Sequence, residues 1–212
     1  MSFRKKLLTA GLVLGSITAP VLTDVYSPAL AGEENKGIYL NMGAGVQKIT
    51  NMSVDGYTDT LEFNNGYVGQ FGLGYDWGNN WRTEANYRQA EGSLDKVNDV
   101  EYDSDIDITS VSFNLFYDIP LENKKYTPYL GAGVGFTRVD IGTITSGGLA
   151  VSAGDDDVNS ILLRIGTSYE ITEQVDMYAE VVHENYEDLK IVGETFQDLD
   201  SLSFIVGARL SL

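Results

Sequence analysis

Apolar residues alternate with small or polar residues along eight stretches of this chain. Within 81–90, Arg82 and Glu84 fall on one face of an extended strand and Ala85 and Tyr87 on the other, because strand side chains alternate with a period of two. The eight stretches are 37–49, 66–77, 81–91, 107–119, 127–139, 159–171, 175–185 and 201–212. This periodicity predicts an all-β chain of eight antiparallel strands.

The connections between these stretches alternate in length. The short ones are 78–80, 120–126 and 172–174, and the long ones are 50–65, 92–106, 140–158 and 186–200. Each stretch also exceeds the roughly 9–11 residues that a tilted strand needs to cross a membrane. Short turns at one end and long loops at the other predict an eight-stranded up-and-down transmembrane β-barrel, with the long loops outside the cell.

The charged rows are expected to face the interior of the barrel and the apolar rows to face lipid. A three-residue turn at 78–80 would set Asp76 opposite Arg82 and Gln70 opposite Arg88, and the turn at 172–174 would bring Arg164 and Glu180 into roughly diagonal contact. Inward glycines would make room for long side chains. Two interpretations of this interior remain open. It is an ion-paired core without a pore, or a narrow conduit for water or ions along the glycine-lined wall. The predicted polar network comprises Asp76, Arg82, Glu84, Arg88, Arg164, Glu170, Glu180 and Arg209.

Three apolar residues interrupt the inward polar rows: Phe116, Val182 and Ile205.

Aromatic residues on the apolar faces collect near the short turns. Rings with polar tips favour the membrane–water boundary, so they predict a periplasmic aromatic girdle. Its members are Tyr75, Trp77, Trp81, Tyr117 and Tyr169.

The N-terminus has the features of a secretory signal peptide. Three basic residues at 4–6 precede the apolar run 7–22, and Ala29-Leu30-Ala31 offers a small-x-small cleavage site. The alternative is a transmembrane helix anchor, which the glycines and proline in that run disfavour. We therefore predict a cleaved segment 1–31 and a single barrel domain over 32–212.

Composition excludes several classes of protein. The formal net charge of −17 argues against a nucleic-acid ligand, whose phosphates need basic partners. Without any cysteine, the chain has no disulfides, thiolate metal sites or cysteine nucleophile, and no cofactor is expected. Carboxylates in the long loops could form weak sites for divalent cations, or they could be merely solvated. They are Asp103, Asp105, Asp107, Asp155, Asp156 and Asp157.

The single histidine, His183, does not predict an enzyme. It falls on the lipid-facing side of its strand, no nearby serine completes a catalytic triad, and the adjacent Glu184 points to the opposite face. We therefore predict a protein without enzymatic activity.

Two segments carry a family resemblance. Residues 127–136, TPYLGAGVGF, and 203–212, SFIVGARLSL, resemble the fifth and last strands of small outer-membrane barrel proteins of the OmpX-like, opacity-type and OmpA transmembrane-domain kinds. The family usually ends with an aromatic residue, where this chain has Leu212. The resemblance implies an outer-membrane location, contact with lipid and lipopolysaccharide, and recognition of the last strand by the outer-membrane assembly machinery.

The family does not fix one activity, since its members act as adhesins, stress proteins, small channels or anchors. We expect a non-enzymatic barrel with a filled polar interior and long acidic loops, acting in envelope structure or in binding an external protein ligand. The alternative is a small porin-like channel for ions or small polar solutes.

Overall fold

A computed structural model describes residues 36–49, 52–54, 60–63, 65–97, 100–122, 125–146, 149–191, 194–197 and 199–212. The predicted signal peptide at 1–31 lies outside the described residues. In the described portion, no helix is long and apolar enough to cross a membrane.

Eight long strands form a closed antiparallel barrel, which confirms the predicted fold class. Each strand pairs with the next along the chain, and the last pairs with the first. Closure leaves no unpaired edge around the barrel wall. The strands are β1 (Gly37–Ile49), β2 (Gly66–Asp76), β3 (Trp81–Val97), β4 (Val100–Asp118), β5 (Tyr126–Ser146), β6 (Leu149–Thr172), β7 (Val175–Tyr186) and β8 (Asp200–Ser211).

Short connections join the strands at one end of the barrel, which we name the turn end (described residues 77–80, 119–122, 125 and 173–174); the opposite end is the loop end. In the first turn, Gly78 and Asn80 adopt left-handed backbone conformations with φ of 72° and 67°. The amide of Trp77 donates to the carbonyl oxygen of Trp81 across 3.0 Å. This turn sets the register in which Asp76 lies opposite Arg82.

Strands β3 to β6 extend beyond their predicted ends, so the predicted loops 92–106 and 140–158 are wrong as loops. Most of their residues continue two long hairpins, β3–β4 and β5–β6. The alternation with a period of two continues there, but the outer face becomes polar and the inner face becomes apolar. On β4, Asp105 is exposed on the outer side whereas Ile106 and Ile108 are buried on the inner side. An alternation whose outer face is acidic is easily mistaken for a polar loop.

The other two predicted loops contain short strands that extend the sheet at the loop end. Met52–Val54 and Thr60–Phe63 lie in the predicted loop 50–65, and Leu189–Ile191 and Glu194–Gln197 lie in 186–200. Thr60–Phe63 pairs with the outer part of β3, and Met52–Val54 pairs with Glu194–Gln197. The first, second and fourth connections are therefore joined by backbone hydrogen bonds.

The middle of the barrel wall exposes an apolar belt. On β4, Val111, Phe113, Leu115 and Tyr117 all point outward and are exposed. Equivalent rows of exposed Leu, Ile, Val, Met and aromatic side chains occur on β1, β2, β5, β6 and β8, whereas β3 and β7 each contribute a single large apolar residue that is exposed, Trp81 and Met177. The side chains between them point into the interior, which is where the polar and charged residues are buried.

Candidate functional site

Four arginines point into the barrel interior, and each lies close to a carboxylate. They are Arg82, Arg88, Arg164 and Arg209, and the structure leaves at most 8% of any of them exposed. A charge buried in this way is strongly unfavourable unless a partner compensates it. The interior is therefore best described as a set of ion pairs, taken in order from the turn end.

Arg82 is the centre of the network nearest the turn end. Its Nε lies 2.6 Å from Oδ2 of Asp118, and its Nη2 donates to Oδ1 of the same carboxylate across 2.8 Å. Its Nη1 lies 3.1 Å from Oε1 of Glu84, which also accepts the Tyr39 hydroxyl at 2.7 Å. The guanidinium carbon also lies 4.8 Å from the ring centre of Phe116. Two-point pairing of this kind fixes the orientation of the arginine.

Arg164 and Glu180 form the central ion pair. The Nη1 atom of Arg164 lies 3.0 Å from Oε1 of Glu180, in the diagonal relation expected from the turn at 172–174. Glu180 also accepts hydrogen bonds from Gln70 Nε2 at 2.7 Å and from the Tyr129 hydroxyl at 3.2 Å. Gln70 lies on β2 and Glu180 on β7, so these bonds cross the interior rather than follow the wall.

Arg88 and Glu184 form a third ion pair, closer to the loop end. Ser160 donates to Oε1 of Glu184 at 2.6 Å, and the Tyr186 hydroxyl donates to Oε2 at 3.0 Å. Arg88 in turn donates to the Tyr186 oxygen at 3.3 Å. Arg88 comes from β3 and Glu184 from β7, so this pair also spans the barrel.

Arg209 is held mainly by aromatic rings. Its Nη1 lies 3.7 Å from Oδ2 of Asp176, and its guanidinium carbon lies 5.1 Å from the ring centre of Tyr39. The rings of Tyr129 and Tyr178 are each 5.9 Å away. A cation above an aromatic face is attracted to it, most strongly where water is excluded.

Asp76 and Gln70 have partners other than the residues that lie opposite them in the β2–β3 register. Asp76 accepts the backbone N–H of Gly78 at 2.8 Å, whereas the arginine opposite it, Arg82, pairs with carboxylates on its own strand and on β4. Gln70, opposite Arg88, bonds to Glu180 instead. Glu170 lies at the turn end with its side chain exposed, and not within the buried pairs. Long side chains in a narrow barrel reach across the interior to facing strands, so the partner of a side chain need not be the residue opposite it in the ladder.

Sequence reasoning missed three members of the network: Asp118, Asp176 and Glu184. All three lie on the inward parity of their strands, so the alternation contained the signal for their direction. Their roles as partners of Arg82, Arg209 and Arg88 depend on which strands face each other, and local sequence does not contain that.

Apolar inward side chains predominate toward the loop end of the interior, where they surround the Arg88–Glu184 pair, and this apolar layer was missed as well. The inward residues there are packed against one another, and Val182 and Ile205, which interrupted the polar rows, belong to the same cluster. Ten members of the cluster are Ile49, Val68, Ala90, Ile106, Ile108, Val139, Val158, Leu162, Val182 and Leu199. The third interruption, Phe116, is buried against Tyr129 with ring centres 5.7 Å apart.

Aromatic side chains surround the turn end on the outside of the barrel. Trp81 packs against Tyr117 at 4.9 Å between ring centres, and Tyr75 packs against Trp77 at 4.8 Å. Tyr169 makes an equivalent contact at 4.8 Å with Tyr126, which was not among the predicted girdle residues. The positions of these rings at one edge of the apolar belt are typical of a membrane–water boundary.

Comparison with known proteins identifies the family. The family model described as "Outer membrane protein beta-barrel domain" matches residues 17–210, nearly the whole chain. The chain belongs to this family. It is therefore an outer-membrane β-barrel protein, and the turn end and the loop end correspond to the periplasmic and extracellular ends of such barrels. A search of curated proteins finds no match.

Solved structures share the fold of this outer-membrane barrel. The Neisserial surface protein A is 19% identical, with a TM-score of 0.56, covering 83% of this chain and 97% of its own. OprG from Pseudomonas aeruginosa is 15% identical, with a TM-score of 0.61, covering 84% and 97%. The Escherichia coli outer membrane protease OmpT is 9% identical, with a TM-score of 0.54, covering 88% and 100%. At these identities the likeness shows the fold alone.

The acidic residues of the extracellular hairpins do not assemble into one cluster. Asp155 and Asp157 both point outward on β6, and Arg138 of β5 forms ion pairs with both. Asp156 has the opposite parity on β6. Asp103 belongs to β4, but its side chain lies outside the described portion; Asp105 and Asp107 lie on the outer face of the same strand. Over the described part of the chain, no three acidic or histidine side chains are arranged to hold a metal ion.

His183 lies on the outer face of β7 near the extracellular edge of the apolar belt. Its Nε2 is 3.9 Å from Oδ2 of Asp200, and Oδ1 of the same carboxylate accepts a hydrogen bond from Asn185 Nδ2 at 2.6 Å. The serines of the neighbouring strands, Ser160 and Ser201, are buried on the inner face. The wall of the barrel therefore separates the histidine from these hydroxyl groups.

Proposed function

We propose that this outer-membrane protein is a non-conducting, non-enzymatic barrel whose acidic extracellular hairpins stabilise the envelope or bind an external protein. The observation that carries this proposal is the filling of the interior in two layers. Two networks of ion pairs occupy the part nearer the periplasm, and packed apolar side chains that surround the third pair, Arg88–Glu184, occupy the part nearer the cell surface.

The packing of the polar layer supports a filled interior. The space bounded by Asn41, Glu84, Tyr178 and Arg209 does not admit a sphere the size of a water molecule. Above it, the side chains of Leu162 and others of the apolar layer are fully buried. An ion entering this layer would lose its hydration without gaining a polar partner, which is strongly unfavourable.

The shape and charge of the extracellular hairpins support a role at the surface. The hairpins β3–β4 and β5–β6 are long paired ladders, with one register shift in β3–β4 between Leu94 and Lys96, so they hold their outer faces in a fixed arrangement. These faces carry Asp105, Asp107 and Asp157, which favour a basic partner or cation-bridged lipopolysaccharide.

The non-enzymatic part of the proposal rests on His183. It faces outward with Asp200, and the buried serines on adjacent strands cannot reach it through the wall. The protease activity named for OmpT belongs to a protein that shares only 9% of its residues with this chain.

Two further points concern export and assembly. We propose that residues 1–31 are removed as a signal peptide, leaving 32–212 as the barrel domain. We also propose that the assembly machinery recognises β8, which forms the closing ladder with β1 and whose following residue, Leu212, donates to the Ile38 oxygen at 2.9 Å.

Conductance decides between a filled barrel and a channel. The mature chain, refolded and shown to be folded by its heat-dependent migration on gels, is inserted into a planar lipid bilayer. We expect no discrete current steps. Stable steps that change in amplitude in Arg164→Ala, a variant of the central ion pair, would refute the filled interior.

One observation favours the second candidate, a small channel for ions or polar solutes. Within the described residues, several buried interior atoms have no protein partner, among them Gln47 Nε2, Asn86 Oδ1 and Asn114 Oδ1. Such atoms are usually satisfied by internal water, and a chain of waters could form a path. The same bilayer recording tests this candidate.

The surface role is tested by neutralising outward carboxylates without altering the barrel. A variant with Asp105, Asp107, Asp155 and Asp157 replaced by Asn should assemble normally but lose adherence or envelope integrity in whole cells. The matched control replaces Glu122 and Glu173, two exposed carboxylates of the periplasmic turns. Unchanged adherence and integrity in the hairpin variant would argue against a role for its charge.

A further inference from the structure

One tyrosine side chain lies across the seam at which the barrel closes, the ladder between β1 and β8. Within this ladder Gly43 on β1 lies directly opposite Gly207 on β8. Tyr178 on β7 lies opposite Gly207, and Gln70 on β2 lies opposite Gly43. The four residues therefore occupy one row of inward positions across four neighbouring strands.

The Tyr178 side chain follows this row and covers both glycines. A Cβ at Gly207 would lie 2.5 Å from the ring carbon Cζ and the hydroxyl of Tyr178, and a Cβ at Gly43 would lie 2.5 Å from the same hydroxyl. The hydroxyl accepts a hydrogen bond from Gln70 Nε2 at 3.1 Å. One buried side chain, 6% exposed, thus connects β7 to β2 across the two strands that meet at the seam.

Other inward rings cover a glycine too, but at ladders whose strands are consecutive in the chain. Tyr39 lies over Gly74 between β1 and β2, and Tyr129 lies over Gly166 between β5 and β6. Each of these rings covers the residue directly opposite it. Tyr178 differs because its hydroxyl reaches beyond the opposite strand to β1, so its side chain crosses the seam itself.

The seam is the ladder that opens most easily. Of the eight ladders that form the wall, seven join consecutive strands, whereas β1 and β8 are separated by the whole barrel domain. Joining distant segments costs more conformational entropy than closing a hairpin. The ladder also has glycine at the inward positions 43, 45 and 207, so side-chain packing across it is sparse. Local opening starts where few packed contacts hold a structure together.

We propose that the Tyr178 side chain and its bond to Gln70 form a strap that keeps the β1–β8 seam closed in the folded barrel. The strap is anchored on β7 and β2, so β8 and β1 cannot separate at this level without breaking it. Opening would expose unpaired backbone groups to lipid, which is strongly unfavourable, and would offer two strand edges to another chain. The strap acts on the wall, so it is independent of whether the interior conducts.

Hydrogen exchange of backbone amides in the folded barrel, measured in detergent micelles, tests the strap. Tyr178→Ala removes the ring and the hydroxyl, and loss of a large buried side chain should raise exchange along β1 and β8 by roughly a hundredfold or more. Exchange along β3 and β4 should stay at the native rate.

Tyr129→Ala is the matched control. Tyr129 is also a buried tyrosine that covers one glycine and bonds to a neighbour, Glu180, but it lies at a ladder within a hairpin. This variant should therefore leave the exchange of β1 and β8 at the native rate.

A covalent link across the seam separates the strap from a general effect on stability. The chain has no cysteine, so Met42→Cys and Ala208→Cys, at directly opposed outward positions, allow a short thiol-reactive reagent to join β1 to β8. In the Tyr178→Ala background the link should return exchange along both strands to the native rate. If the linked barrel still exchanges as fast as the unlinked one, the strap is refuted.

Tyr178→Phe provides a second test if Tyr178→Ala does not fold. It keeps the ring over the glycines and loses only the bond to Gln70, so exchange at the seam should rise by roughly twofold to tenfold. Faster exchange spread evenly over all ladders would overturn the strap, because Tyr178 would then contribute only to global stability. Native rates at the seam in the folded variants would overturn it as well.

Discussion

The central ion pair offers the sharpest test of the interior. In Glu180→Gln the side chain keeps its shape and an oxygen that can accept from Tyr129, but it loses the charge that balances Arg164. The two side chains are 3% and 1% exposed, so water cannot take over the lost interaction. Removing one partner of a buried pair costs about 3–5 kcal/mol. The folding equilibrium should therefore fall roughly a hundredfold to a few thousandfold.

The assay is urea unfolding of the barrel in lipid vesicles, followed by the emission of Trp77 and Trp81. The free energy of unfolding comes from linear extrapolation to zero denaturant. Arg138→Gln is the matched control, because its pair with Asp155 is 58% and 48% exposed. Water screens an exposed pair and such pairs contribute little to stability, so this variant should stay close to the native value.

A second substitution separates the cost of an orphaned charge from other effects. Arg164→Met combined with Glu180→Gln removes the uncompensated cation, so the double variant should be more stable than Glu180→Gln alone. If Glu180→Gln instead costs no more than Arg138→Gln, the interior screens charge as an exposed surface does. That result would refute the reasoning that the ion pairs are buried and mutually dependent.

Three further outcomes are expected from the same unfolding assay. Gly131→Ala would place a Cβ 2.6 Å from the Phe116 ring, so it should cost about 1–3 kcal/mol, and Phe116→Leu in the same chain should recover part of that loss. Phe113→Arg, in the middle of the apolar belt, should cost about 2–4 kcal/mol, whereas Thr109→Arg near its extracellular edge should cost about 0–1 kcal/mol. Val139→Asn would bury an unpaired amide in the apolar layer and should cost about 1–3 kcal/mol; a native-like midpoint would mean that water reaches this layer.

The sequence predicted the eight strands and their outward faces because both follow from local rules. A strand alternates with a period of two, and a lipid-facing row must be apolar over the thickness of the membrane. The Asp76–Arg82 register followed in the same way from a three-residue turn. These features involve residues that are neighbours in the chain or across one tight turn.

Apart from the Arg164–Glu180 pair, which one tight turn brings together, the partners of the buried charges could not be predicted from the sequence. Arg88 meets Glu184, and Gln70 meets Glu180, across the barrel from strands that are distant in the chain. Which strands face each other depends on the stagger of the closed sheet, and no single strand contains that information. The alternation placed Glu184 inside, but its pairing with Arg88 required the closed barrel.

The extracellular hairpins show the same division. Alternation continues through Asp105, Ile106, Asp107 and Ile108, and the sequence alone determined that these residues alternate. Whether Ile106 and Ile108 face inward depends on what surrounds the barrel at their level, and the surroundings change from lipid to water along a single strand. The tertiary structure decided this, because only the height of a residue above the membrane determines which of its faces must be polar.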